Sequence, residues 1–586
     1  MSAAVARRRT ILCVALLFAL ALGLRLAALQ HGLPRNYVPD THAVRAALGM
    51  AKDRDLAPPV GKYSSYPYLM PYLLLPVYGA QYAIGRIEER WHGAEEYGAY
   101  VADHPERVAL PARALVACFG ALTALVVFFA ARVAGLQLGA LAAMFLAATG
   151  LLHVQLSVQE RPWVIVVFFG ALCLWASLCY AASGRARSLA LSGVCAGLAL
   201  ATHQAGGFFA FLTAATWIFS GRQAADWSGA RLLRRLGHAA LAALLCVVVG
   251  LVSGHVYYLV HGAVQTDQLV GTARAAEHFT LGGQALRLGL SWTSFEHLGR
   301  TLFGYDPVLV GLGTLGLLIA WRTTCLRGPL VFTLAYAIFF LFNPSDHVRY
   351  LLPLTVLLAI PAGQVSELVL ARKSGRVALG ALCVLPLLQS GRLVWLLRQE
   401  DTRAEAERRL EEFAAPVNAK SYVAIDHYGP QVELSRASLE QLAGVRELRT
   451  REARRLELLQ SGYAPGGKLG IHALFVEEFF GYDDELHAYG VAKERRDLAA
   501  TPAELFKVLG VTHFVMINRR PSDPALPFLA ALAGNWTPVW VIDPSRAGGG
   551  ESPEAWLPTE MDFPLTGLWR VDRPGPLITL YELPRS

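Results

Sequence analysis

The sequence predicts a polytopic α-helical membrane protein, with about eleven transmembrane helices followed by a soluble α/β domain. Three observations carry this. Hydrophobic residues make up 54% of the 586 and charged residues only 17%, with mean hydropathy +0.38, too apolar for a soluble chain of this length. The apolar residues come in blocks of roughly 15–25, the length that crosses a bilayer as helix. Beyond Leu397 the blocks stop, and charged helical and β-like stretches replace them.

The first block, Ile11 to Leu29, follows Arg7, Arg8 and Arg9. It is longer than a signal-peptide core and ends in no small-residue cleavage site, so it reads as a retained span with its arginines in the cytoplasm. Further spans are expected near 111–133, 138–152, 163–182, 188–202, 205–220, 238–260, 305–321, 329–342, 350–370 and 377–396. Tyr66 to Ile84 is apolar enough to suggest another crossing. Its Tyr66, Tyr68, Tyr72, Tyr78 and Tyr82, interleaved with Pro67, Pro71 and Pro76, suit a re-entrant or interfacial helix better. Charge decides the matter. If this segment does not cross, the loops holding Arg132, Arg185/Arg187, Arg231/Arg234/Arg235, Arg322/Arg327 and Arg372/Lys373/Arg376 all fall on the cytoplasmic side, as the positive-inside rule asks.

The chain then divides into a membrane domain, 1–397, with a large first outer loop at 30–110, and an outer α/β domain, 398–586. In the latter, Glu400 to Phe413 has helical character, while 421–425, 512–517, 538–542 and 578–581 read as strands.

This topology places Asp40, the segment His153 to Arg161, His203-Gln204, Tyr305-Asp306 and Asn343 to Tyr350 on one outer face. Polar groups gathered on one side from sequence-distant loops are what a membrane-embedded active site requires, although any membrane protein has outer loops. Asp40 stands just beyond the first span, after Pro34 and Pro39 and before His42. An ionisable group at a membrane boundary is a functional hypothesis by default. The alternative is that Asp40-Thr41-His42 opens a helix running into Val44, Leu48 and Ala51.

Several classes are disfavoured. The net charge of +8 is spread over short loops and needs no nucleic acid to explain it. The eight cysteines show no CxxC or disulfide spacing. His42, His153, His203 and His347 lack paired ligand spacing, so no metal is expected.

Taken in order, Gly32-Leu33-Pro34 with Pro39-Asp40, then Tyr66-Pro67, His153-Val154-Gln155-Leu156-Ser157, Gly197 to His203, and Arg349-Tyr350-Leu351-Leu352-Pro353-Leu354 resemble the GT-C fold membrane glycosyltransferases. The chain is similar in particular to the bacterial relatives of protein O-mannosyltransferases and of the lipid A aminoarabinose transferase, over roughly 11–370. It departs from their pattern at Thr41-His42, where an acidic pair is usual, at Trp163, where an acidic residue is usual, and at His203, where lysine is usual. Glu160 lies about one turn before Trp163 and is the candidate substitute.

The resemblance implies transfer of a sugar from a polyprenyl-phosphate donor to an acceptor hydroxyl (of a glycan, lipid or protein) at the outer face of the bacterial inner membrane, without a metal cofactor. Asp40 and Glu160 are then the catalytic candidates, with Asp40 as general base. Glu160 has two other readings, a partner for Arg161 or a water-facing carboxylate. The leaving phosphate calls for cations, and Arg349, Arg161, Arg45 and Lys62 are candidates, guanidinium being suited because it meets phosphate in bidentate fashion; Arg349 could instead snorkel. Tyr350, Tyr66, His42, His153 and His203 complete the substrate-binding set. The apolar 66–84 segment is expected to wall the lipid tail. Two rival readings are a transporter or flippase of a lipid-linked or polar solute and a non-catalytic GT-C homologue. Transporters place charge at mid-membrane on broken helices in repeated halves, whereas these spans are nearly charge-free and show no matching halves.

Overall fold

The computed structural model describes residues 3–35, 37, 41–59, 62–63, 66–220, 228–261, 280–281, 284–285, 292–342, 348–414, 421–464, 468–483, 488–489, 502–518, 536–545 and 563–584. Asp40, Asn343 and His347 lie outside the described residues. The chain separates into two compact units: residues 1–29, 40–92 and 108–394 form the first, and 30–39, 93–107 and 395–586 the second. Two stretches of the expected first outer loop thus belong with the C-terminal residues.

The first unit is helical. Among the described residues, seven helices are long and apolar enough to cross a membrane, and two bent pairs, Leu138–Thr149 with Leu151–Ser157 and Trp292–Tyr305 with Pro307–Ala320, raise the number to nine. Two shorter apolar helices, Ala186–Thr202 and Gln204–Phe219, accompany them. Each of the expected spans meets one of these helices. Regular helix is dictated by the solvent, since a lipid core offers no partner for unsatisfied backbone groups. The tyrosine-rich segment forms a helix over Leu69–Ile87 with Pro76 inside it, and it is not among the candidate spans.

Leu352–Leu370 is central, with every residue from Leu352 to Gln364 buried. It packs on Pro307–Ala320 and on Leu138–Thr149 through small residues, which let helix backbones approach where lipid supplies no hydrophobic drive. A Cβ at Gly316 would strike the Pro361 carbonyl, and one at Gly139 would strike that of Gly363. By contrast, Gly229–Gly254 turns Leu233, Leu244 and Val252 outward, as a lipid-facing helix should.

The two bent pairs are tied together at their breaks. Asp306 separates Trp292–Tyr305 from Pro307–Ala320, which cross at 119°. Its carboxylate accepts the backbone N–H of Leu151 at 2.6 Å and of Leu152 at 3.3 Å, just where Gly150 breaks the other pair. The aspartate thereby meets the open N–H groups that begin a helix.

The second unit is a five-stranded sheet in the order Ala473–Phe475, Val423–Ile425, His513–Ile517, Ile578–Glu582, Thr537–Ile542. The first three strands are mutually parallel, and Ile578–Glu582 runs antiparallel to both neighbours. The four expected β-like runs are all strands; the fifth, Ala473–Phe475, too short to stand out by pattern, was not foreseen. Thr402–Ala414 is the expected charged helix. Val423, Ile425, Val515, Ile517, Ile578 and Leu580 fill one buried cluster, while Ala424, Leu474 and Phe514 belong to a second, as period-two alternation requires. From the 30–39 stretch, Arg35 pairs with Glu407 and with Glu433 at 2.7 Å, and Tyr37 lies under the Arg403 guanidinium at 4.2 Å.

Candidate functional site

Within the first unit, side chains from widely separated segments meet in one continuous series. His42 opens the helix His42–Asp53 and sets its ring edge-on to Tyr66, centroids 5.6 Å apart. Tyr66 contacts His203 at 4.9 Å, and His203 contacts Trp163 at 4.2 Å. Trp163 in turn meets Tyr350 at 4.8 Å. The Arg349 guanidinium lies over both rings, 5.5 Å from Trp163 and 5.7 Å from Tyr350, close enough for cation–π attraction. Helix ends supply these residues. Trp163 is the first residue of Trp163–Ser183, His203 follows the last residue of Ala186–Thr202, and Arg349 and Tyr350 occupy the 3-10 turn that leads into Leu352–Leu370.

His203 is 2% exposed and accepts the Ala205 N–H at Nδ1, 3.0 Å away. That bond fixes Nδ1 as the acceptor, so a neutral ring carries its proton on Nε2. Where the resembled family has a lysine, this chain therefore has a neutral ring, tilted against Tyr66 and Trp163, and the fixed cation of the cluster is Arg349.

A second group is a buried ion pair. Glu160 is fully buried and accepts from Arg113 Nε at 2.7 Å, with Arg113 equally buried and also donating to the Leu29 carbonyl at 2.8 Å. The expected reading of Glu160 as a water-facing group gives way to this pair; a buried carboxylate needs a charged partner, and Arg113 reaches it from Glu106–Val133. Arg161 is itself 2% exposed.

His153 lies in a third arrangement. Arg25, fully buried, donates to His153 Nδ1 at 3.0 Å, to Ser157 Oγ at 3.1 Å and to the carbonyls of Ala21 and Ala148 at 2.7 and 3.0 Å. Arginine carries no acceptor, so His153 Nδ1 accepts. A Cβ at Gly120 would come within 2.7 Å of Arg25 Nε, which explains the glycine opposite. His153 is thus held against Arg25 and shows no ring contact with His203.

Lys62 stands apart. It forms a half-exposed pair with Asp53 at 2.6 Å and lies over the Tyr63 ring at 5.0 Å, where solvent leaves such pairs little energy. The helix-opening alternative for Asp40 is corrected by one residue, since the N-cap position of His42–Asp53 belongs to Thr41, which makes no side-chain cap bond.

Reading the sequence missed Arg113, Arg25 and the capping role of Asp306. The signal for the two arginines was present, because a guanidinium inside a long apolar run needs polar partners from other helices. Among the described residues, no group of three or more His, Cys, Asp or Glu is placed to hold a metal ion.

No family model and no curated protein matches the chain. Among solved structures, ArnT from Cupriavidus metallidurans bound to undecaprenyl phosphate is similar at 18% identity and a TM-score of 0.43, over 69% of each chain. The apo state of the same ArnT is similar at 16% identity and 0.45, over 77% of this chain and 72% of that one. The archaeal oligosaccharyltransferase AglB from Archaeoglobus fulgidus, in complex with an inhibitory peptide and a dolichol-phosphate, is similar at 13% identity and 0.41, over 86% and 69%. The roles of individual residues rest on the geometry of this chain.

Proposed function

We propose that the protein is a membrane glycosyltransferase that moves a sugar from a polyprenyl-phosphate donor to an acceptor hydroxyl at the outer face of the bacterial cytoplasmic membrane. The observation that carries the reading is the gathering of His42, Tyr66, Trp163, His203, Arg349 and Tyr350 into one contact series. Tyr66, Arg349 and Tyr350 are among the motif positions by which the sequence resembles such enzymes, and His42, Trp163 and His203 stand where it departs from their pattern. In this reading the N-terminus is cytoplasmic, which agrees with the arginine-bearing loops, and the C-terminal unit is extracytoplasmic.

Asp40, two residues before His42 in the chain, takes the proton of the acceptor hydroxyl. The oxygen bonds to the anomeric carbon as the bond from that carbon to the phosphate oxygen breaks, and the polyprenyl phosphate leaves with the electron pair. Arg349 and Arg161 meet the charge that develops on the phosphate. Stacking against Trp163 and Tyr350 limits the positions open to Arg349 and so favours one approach to the phosphate. Glu160, committed to Arg113, acts as a positioning residue. The donor's prenyl chain is a membrane lipid and runs beside the Leu69–Ile87 helix. Arginines serve the leaving group here, and no metal is assigned.

A second reading, transport or flipping of a lipid-linked solute, is favoured by one observation, the pair of broken helices joined through Asp306, since transporters build sites at such breaks. One experiment separates the two. Membranes supplied with a panel of radiolabelled polyprenyl-phosphate sugars should transfer label to an acceptor with wild-type protein, and Asp40→Asn should lower transfer by about 100-fold, the scale of a lost general base. Label that changes leaflet without changing its chemical attachment would favour transport, and transfer unaffected by Asp40→Asn would remove that residue from the mechanism.

A further inference from the structure

At the other end of the same helices lies a site the proposed reaction does not use. The helix begun by Trp163 ends at Ser183, about 30 Å away for its 21 residues at 1.5 Å each. The helix that follows His203 ends at Phe219. Between these two ends and the start of Gly229–Gly254 is a cavity of about 400 Å³, lined by Arg231, Arg234, Arg235 and His238 together with Tyr180 and Ser220.

The four basic residues recur at i, i+3, i+4 and i+7, so a single helix face presents them all. Arg235 forms the wall. It donates to the Trp217 carbonyl, its guanidinium lies 5.8 Å from the Trp217 ring, and Trp217 Nε1 donates back to the Arg235 carbonyl at 2.9 Å. Arg231 and Arg234 extend outward and are exposed. Among the described lining residues there is no carboxylate, so the cavity concentrates positive charge in a concave space. Such an arrangement selects a compact anion with several oxygens, and phosphate fits the guanidinium fork.

The neighbours of these arginines say where that phosphate comes from. Leu233 and Leu236, on the same turns, are 73% and 45% exposed, and Leu241, Leu244 and Val252 continue the apolar surface along the helix. A basic cavity set directly on a lipid-facing helix lies at headgroup depth, where basic groups near an anionic leaflet are attracted to it. We infer that this cavity binds the phosphate headgroup of an anionic membrane lipid in the leaflet opposite the candidate catalytic site. The lipid would fix the ends of three helices, two of which carry Trp163 and His203 at their other ends.

The test uses the full-length protein in neutral detergent, with bound lipid counted by native mass spectrometry during titration with phosphatidylglycerol, phosphatidylcholine or inorganic phosphate. The wild type should retain phosphatidylglycerol in preference to phosphatidylcholine, and R231Q/R234Q should lower that binding by at least about tenfold. R185Q/R187Q removes the same charge from the start of the helix Ala186–Thr202, outside the cavity lining, and should leave binding unchanged. R231K/R234K, which keeps the charge, should retain most of it. Should R231Q/R234Q not fold, R234Q alone is expected to weaken binding several-fold. Equal losses in R185Q/R187Q and R231Q/R234Q would overturn the assignment to this cavity. Equal binding of the two lipids, or displacement by inorganic phosphate alone, would overturn the lipid as occupant.

Discussion

The carboxylate of Asp306 accepts the backbone N–H of Leu151 at 2.6 Å, so the break in one helix pair caps the break in another. Both breaks lie in the helical unit, and Leu151–Ser157 carries His153 and Ser157, which hold Arg25. Asp306 is therefore a hinge pin for a buried polar network. Removing it with Asp306→Ala should lower stability by about 0.5–2 kcal/mol, the range for a lost helix cap. Asp306→Asn, which keeps an acceptor oxygen, should restore most of the loss. Thermal unfolding in detergent reads both, and wild-type stability in Asp306→Ala would show that the cap contributes nothing.

Trp163 is the centre of the candidate site, touching His203, Tyr350 and Arg349. Trp163→Ala should reduce sugar transfer by at least about tenfold, because the stacked partners lose the surface that orients them. Trp163→Phe preserves a ring and should stay within a few-fold of wild type. A transfer assay on both variants at matched protein levels checks this; equal activity in Trp163→Ala and wild type would exclude the cluster from the reaction.

Glu160 and Arg113 form a fully buried pair at 2.7 Å. Truncating one partner leaves an uncompensated charge, which costs about 3–5 kcal/mol. Glu160→Gln and Arg113→Gln should each unfold well below the wild type, and the double variant should recover much of the difference. A double-mutant cycle on unfolding free energies measures this coupling. Additive losses would mean the two side chains do not depend on one another.

The C-terminal unit should weaken in acid in two stages. Burial lowers the affinity of His472 for a proton, and the ring stacks on Tyr422 at 4.0 Å. The unfolded chain thus takes up that proton more readily, and stability from this group falls as pH drops below about 6.5. Burial disfavours the charged form of Glu433, but Arg35, Arg451 and Arg455 overcome it and hold the carboxyl below the usual glutamate range. Its contribution is complete above the unfolded value of about 4.3 and is lost as pH falls through the lower folded value. Hydrogen exchange of peptides covering Val423–Ile425 and His513–Ile517 in the intact protein should show protection falling first near pH 6 and again below about 4.5, and Glu433→Gln should shrink the second step, which Glu452 and Glu405, also held low by arginines, share. Protection that rises on acidification would contradict both assignments.

Much of the architecture was legible because its cause is local. A run such as 163–182 is almost wholly apolar, and lipid forces that composition into helix; the short apolar run Phe514 to Ile517, with its aromatic and β-branched residues, favours a buried strand. His203, Arg349 and Tyr350 were legible as motif positions. The function of Trp163 was not, for in the sequence it is only the wrong residue in an acidic position, and its partners arrive from segments about 40 and about 190 residues further along. Arg113 was visible as a guanidinium in an apolar run, but its partner was not, for a similar reason. Its meaning lies in Glu160, on another helix, and nothing in the intervening sequence announces the pair.

The sequence alone determined the apolar helices, four of the five strands of the sheet and which polar residues sit at span ends, because solvent acts on each residue according to its own chemistry and immediate neighbours. Only the tertiary structure decided that Glu160 belongs to Arg113, that His153 belongs to Arg25 rather than to the His203 series, and that Asp306 caps a distant helix. Those choices depend on which buried groups can reach one another once the helices pack. A group withdrawn from water must find its partner across space, and chain order does not encode that distance.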